Sequence, residues 1–185
     1  DKYVDGSIDE LHVFFTTFIN TMKQEARHGG MLPIPEEFRA PGTGEVQLTL
    51  VQKLPLDGVV IVSTPQEVAL ADVRRGVGMF RKVNVPVLGI VENMSYFIAP
   101  DTGRRYDIFG HGGARAEAER IGAPFLGEVP LDMALRENSD NGTPLTATEP
   151  NGPHAKIYRD IATKVWEQVA AGKADGKTAP AIVFE

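Results

Sequence analysis

Apolar residues fall into a few short unbroken runs, separated by longer stretches in which they recur every three or four positions. Val59-Val60-Ile61-Val62 is bounded by Asp57-Gly58 and Ser63-Thr64-Pro65. Val85 to Val91 is a second run, and Pro124-Phe125-Leu126-Gly127-Glu128-Val129 is a third. Continuous rather than alternating hydrophobicity predicts strands covered on both faces, as in a parallel sheet. Helical patterns lie between them. Thr64 can cap a helix, Pro65 suits its first position and Glu67 completes a capping box. That helix is expected to run to about Val83, with Val68, Val73, Val77 and Phe80 inward. A second should follow Gly112-Gly113 and stop at Gly122. A third should start near Pro153, with Ile157, Ile161 and Val165 on one face. Strand–helix–strand alternation predicts an α/β layer fold. Ligands of such folds bind at the carboxyl ends of the strands. Those ends are expected at Ser63-Thr64, Glu92-Asn93-Met94 and Pro130-Leu131-Asp132.

The first forty residues differ in character. Leu11 to Ile19 is rich in aromatic and β-branched residues and favours a strand. Asn20 to His28 is polar and could form a helix, and Gly29-Gly30, Pro33 and Pro35 then read as breaks. The expected boundaries are an N-terminal segment over 1–40, a domain over 41–171 and a tail over 172–185.

Composition narrows the function. The chain has 185 residues, 42% hydrophobic and 24% charged, enough for one domain with a real core. A net charge of -6 argues against a dominant nucleic-acid surface, which needs clustered positive charge. There are 0 cysteines, which excludes disulfides, thiolate nucleophiles and cysteine-held zinc or iron–sulfur sites from this chain. No apolar run approaches the ~20 residues that span a bilayer, and no secretory leader opens the sequence. A cytoplasmic protein is the expectation. Asp1 stands where a start methionine would, which suggests a fragment.

Candidate chemistry is sparse. Gly172 to Thr178 contains Gly-Lys-Thr, but the phosphate-loop frame needs Gly where Ala171 sits, and a helix precedes it. A flexible tail is the better reading. Gly110-His111-Gly112-Gly113 opens a helix and could hold an anion, though a tight turn is favoured. Asn93 ends a buried run. Its amide could read an adenine edge, offering donor and acceptor together, or could equally start a turn on its own backbone. His12, His28, His111 and His154 form no metal-binding spacing.

Several segments in order carry a family likeness: Pro41-Gly42-Thr43-Gly44-Glu45-Val46, Asp57-Gly58-Val59-Val60-Ile61-Val62-Ser63-Thr64-Pro65, Val87-Leu88-Gly89-Ile90-Val91-Glu92-Asn93-Met94-Ser95-Tyr96-Phe97, Phe109-Gly110-His111-Gly112-Gly113 and Gly127-Glu128-Val129-Pro130-Leu131-Asp132. Residues 41–185 resemble the C-terminal half of the Mrp/Nbp35 family. These are P-loop ATPases of the deviant-Walker (MinD/ParA-like) group that carry iron–sulfur clusters for assembly. The resemblance implies part of a doubly wound, mostly parallel sheet with flanking helices. It also implies ATP, Mg²⁺ and a 4Fe-4S cluster as cofactors, a homodimer, and apoprotein clients, with no membrane or nucleic-acid partner. By the same resemblance Asn93 reads adenine, Gly42 and Thr43 lie near the γ-phosphate, and Pro130 and Leu131 pack near the base.

The departures are equally specific. No lysine-bearing phosphate loop lies within the 185 residues. In the family's Asp-x-Pro-Pro-Gly-Thr-Gly, Phe38 takes the Asp position and Ala40 the first Pro. Ala99 and Thr102 occupy the two Cys positions of Cys-Pro-x-Cys. Little ATP hydrolysis and weakened metal and cluster binding are therefore expected. Asp9 to Thr21, with Leu32-Pro33-Ile34, is similar to a segment of the γ subunit of rotary ATP synthase, so the chain reads as a join of two pieces. Two alternatives are a ParA/MinD-like partition ATPase, disfavoured by a tail without an apolar face, and a non-enzymatic interaction module.

Overall fold

The computed structural model describes residues 11–20, 23–32 and 56–174, with side chains from Leu56 to Gly172. Six strands form one mixed sheet: β1 (Leu11–Asn20), β2 (Lys23–Leu32), β3 (Val59–Ser63), β4 (Val87–Ile98), β5 (Arg105–Tyr106) and β6 (Phe125–Leu131). Five helices accompany them: α1 (Glu67–Lys82), α2 (Gly113–Ile121), α3 (Met133–Asp140), α4 (Leu145–Thr148) and α5 (Pro153–Ala174). The pairings run β2-β1-β3-β4-β6 across the sheet. β1, β3, β4 and β6 are mutually parallel, and β2 is antiparallel. β5 pairs antiparallel with the far end of β4, at Phe97 and Ile98.

The unbroken runs form strands because both sheet faces are covered. Ile61 and Ile90 pack with Leu70, Val73 and Val77 of α1 and Ala114 and Ala118 of α2. Val60, Leu88, Val91, Leu126 and Val129 face the other way, onto Ile157, Ile161, Val165 and Val169 of α5. Each such fully buried aliphatic side chain is worth ~1.5–3 kcal/mol of transfer energy. This is the expected α/β layer arrangement, with helices on both faces of a mostly parallel sheet.

Four details differ from the sequence expectation. The α1 cap is Gln66, not Thr64, whose hydroxyl instead donates to Gln66 Oε1 at 3.0 Å. Val68 is 45% exposed, while Ala69 and Leu70 are buried. Val68 lies five residues before Val73, which is ~140° around a 3.6-residue helix and so off the face that Val73, Val77 and Phe80 share. Residues 23–32 form a strand rather than a helix, and Gly29 and Gly30 lie within it, paired with Val13 and His12. The hairpin partner supplies hydrogen bonds that local propensity does not predict. Finally, β4 does not stop at Glu92–Met94 but continues to Ile98, because β5 and Leu131 pair with its second half.

The edge of β3 is occupied by β1, with Phe14 opposite Ile61 and Phe15 opposite Val62. The aromatic N-terminal strand thus covers that edge of β3.

Candidate functional site

β3 and β6 end alongside the second half of β4, opposite Glu92 and Phe97. β3 ends at Ser63, opposite Glu92. The next residue, Asn93, therefore has a strand neighbour on one side only, Val129 of β6. Asn93 is partly exposed, and its side chain makes no hydrogen bond to any described residue. Pro130 and Leu131 follow Val129 directly and are also partly exposed. Asp132 then turns the chain into α3 by accepting from the amides of Ala134 at 2.7 Å and Leu135 at 3.3 Å. His154, at the start of α5, approaches the other oxygen of Asp132 to 3.5 Å. Asn93 and Pro130 thus lie on one rim, with Leu131 further along it opposite Phe97, while Gly42 and Thr43 lie outside the described residues. An amide with free donor and acceptor beside an apolar ledge can read the edge of a planar heterocycle.

Beneath this rim lies a group the sequence reading missed. The Glu92 side chain is completely buried. One of its oxygens accepts from Ser95 Oγ at 2.6 Å and from the Gly112 amide at 3.2 Å. The other accepts from the Ala114 amide at 2.8 Å. Those amides belong to the first turn of α2, whose orphan N–H groups and dipole favour a negative charge. A buried carboxylate is tolerable only when bonded in this way. The turn at Gly110 to Gly113 is thus as tight as expected, with φ of 91° at Gly110 and 72° at Gly112, and the anion at its helix start is the protein's own Glu92. Glu-x-x-Ser after an apolar run, with a Gly-rich helix start twenty residues on, is the sequence signal that could have disclosed it.

The residues that would hold metal do not fit one. Glu92, His111 and Glu128 bring one ligand atom each within 4.8 Å of one another. Both Glu92 oxygens are already engaged by three protein donors, however. Arg105 donates to His111 Nδ1 at 2.9 Å, and Arg115 lies 3.4 Å from Glu128. Asp107 holds Arg105 firmly charged, its guanidinium shifted above the usual range by their hydrogen bond. A cation placed there would meet two guanidinium groups. Phe38, at the family's Asp position, carries no ligand atom. The hairpin turn between β4 and β5 offers no thiolate either. Ala99 is buried and closed by backbone bonds to Gly103 and Arg104, and Thr102 Oγ1 accepts from the Arg104 amide at 3.4 Å.

A family model described as the NUBPL iron-transfer P-loop NTPase matches residues 39–166, more than half of the chain. The chain belongs to this family. The iron–sulfur cluster transfer protein NUBPL of Dictyostelium discoideum is 54% identical over 129 residues, covering 70% of this chain and 40% of its own length. An iron–sulfur cluster carrier protein of Deinococcus radiodurans is 52% identical over 130 residues, 70% of this chain and 37% of its own. An Arabidopsis thaliana mitochondrial iron–sulfur protein required for NADH dehydrogenase is 50% identical over 125 residues, 68% and 40%. Among solved structures, a nucleotide-binding protein from Archaeoglobus fulgidus in complex with ADP superposes with a TM-score of 0.51 at 41% identity, covering 60% of this chain and 45% of its own. The chain therefore spans about two fifths of the NUBPL-type relatives it matches. Its α/β layers are those of a P-loop NTPase. Among the described residues, no helix is long and apolar enough to cross a membrane.

Proposed function

We propose that this chain is the base-reading portion of an ATP-binding iron–sulfur cluster carrier, acting in the cytoplasm. The observation that carries it is the amide of Asn93, unbonded among the described residues, on the rim that Pro130 and Leu131 continue, in a chain of this family. Asn93 hydrogen-bonds the adenine edge, and Pro130 and Leu131 pack against the ring. Gly42 and Thr43 approach the γ-phosphate. A homodimer is the working state, and apoproteins are the clients of the cluster, which is cargo.

This portion binds adenine and does little chemistry on the phosphates. Phosphoryl transfer is positioning plus neutralisation of charge on the transferred group. Without a phosphate-loop lysine, and with Phe38 where an acid would order magnesium-bound water, neither is supplied by these 185 residues. Cluster cargo likewise finds no thiolate at Ala99 or Thr102.

Incubating the purified chain with ATP and Mg²⁺ tests the reading. The expected result is turnover at background level, with adenosine binding weakened about 10-fold by Asn93→Ala, the ~1.4 kcal/mol typical of one net hydrogen bond. Robust turnover abolished by Asn93→Ala would contradict it.

A further inference from the structure

Asn93 is followed by a backbone irregularity. Met94 has φ 53°, in the left-handed region that non-glycine residues seldom adopt. The register between β4 and β6 shifts between Asn93 and Phe97. On the other side, β3 has already ended opposite Glu92. Neither neighbouring strand therefore fixes the peptide after Asn93. What spans it is a side-chain bond: Ser95 Oγ donates to Glu92 Oε1 at 2.6 Å, across Asn93 and Met94. Both ends of that bond have 0% exposure. Glu92 is itself held from a different element, by the Gly112 and Ala114 amides of α2.

We infer that Ser95 and Glu92 form a clamp that positions Asn93, and so set which base the rim accepts. This rests on the base-reading proposal above. An amide side chain presents a donor and an acceptor that exchange places when it turns over. A freely turning Asn93 could meet either adenine, with its amino donor, or hypoxanthine, with its oxo acceptor. Discrimination needs the amide aimed in one orientation, which requires a fixed backbone beneath it. The clamp provides that by holding the left-handed turn in place. Ser95 and Glu92 touch no nucleotide; they act through Asn93.

The test compares ATP with ITP, by titration calorimetry, on the full chain and on Ser95→Ala. The side-chain NH₂ signals of Asn93 are followed by NMR in parallel. Ser95→Ala keeps both bonds from α2 to Glu92 and removes only the bridge. The expected result is a cooperative melt, an ATP-over-ITP preference reduced about 10-fold by loss of one oriented hydrogen-bond pair, and shifted or broadened Asn93 signals. A folded Ser95→Ala with unchanged preference and unchanged Asn93 signals overturns the clamp. Should Ser95→Ala not fold, Glu92→Gln is read by the same criteria. Should the unmodified chain bind neither nucleotide, the base-reading proposal fails. The Asn93 signals then decide the clamp alone: displaced signals support it, and unmoved signals refute it.

Discussion

At the residue scale, Glu92 and Asn93 are neighbours with opposite demands. Strand alternation sends one into the α2 face and leaves the other at the rim. Glu92 stabilises the protein because three donors converge on it, and removing it would orphan the Gly112 and Ala114 amides as well as the Ser95 hydroxyl. Glu92→Ala is therefore expected to cost about 2–4 kcal/mol, by the desolvation penalty of unsatisfied buried groups. Asn93→Ala, at a partly exposed and unbonded side chain, is expected to stay within ~0.5 kcal/mol of the parent. Urea unfolding of both variants checks the contrast; equal losses would contradict the buried, bonded role of Glu92. Of these two residues only Asn93 was legible in the sequence. A carboxylate after the apolar run Val85 to Val91 reads as the end of a strand, because its burial is compensated by amides some twenty positions away.

At the element scale, α1 and α2 are joined through one buried carboxylate. Glu117 of α2 is 3% exposed and bonds Arg120 on its own helix and Arg74 of α1, the latter at 3.1 Å. Arg74 also reaches Glu67 at 2.5 Å. The Arg120 hydrogen bond, with Arg74 adding to it, holds Glu117 below the usual carboxylate range despite partial desolvation. A pKa lowered on folding contributes stability above the unfolded value, ~4.3, and that contribution is lost as pH falls through the folded value. The melting temperature should therefore drop on acidification below about pH 4.5, and Glu117→Gln should flatten that limb while lowering stability at neutral pH by about 1–3 kcal/mol. An unchanged acid limb in thermal melts of Glu117→Gln would contradict the assignment. The close approach of these elements also explains a glycine. A side chain at Gly113 would strike the Pro65 carbonyl and the Leu70 side chain, so α2 can pack onto the start of α1 only with Gly there.

Hydrophobic patterning gave the existence of β3, β4, β6 and all three long helices, and Gly122 ends α2 with φ 69° as its position suggested. Boundaries were less legible where a distant partner sets them. The second half of β4 exists because β5 returns to pair with it. Strand β2 is polar by composition and forms only against β1. Neither partner is visible in a local window. The strand ends were legible in part: Asn93 lies opposite Val129, which Pro130 and Leu131 follow, whereas the Ser95–Glu92 bond depends on tertiary contacts.

For the whole molecule, family membership begins at residue 39, yet the sheet begins at residue 11. β1 closes the β3 edge, which would otherwise present unpaired backbone groups. Deleting residues 1–32 should leave a species that self-associates with rising concentration, seen by light scattering. A monodisperse, equally stable product would show that the hairpin contributes nothing to the sheet.

On the proposed function, this polypeptide recognises the base without gripping the phosphates. Comparing adenosine, ADP and ATP by calorimetry, with and without Mg²⁺, tests it most directly. Dissociation constants for the three should lie within about 10-fold of one another, with no effect of Mg²⁺ and a common weakening by Asn93→Ala. ATP·Mg²⁺ bound orders of magnitude more tightly than adenosine would contradict it.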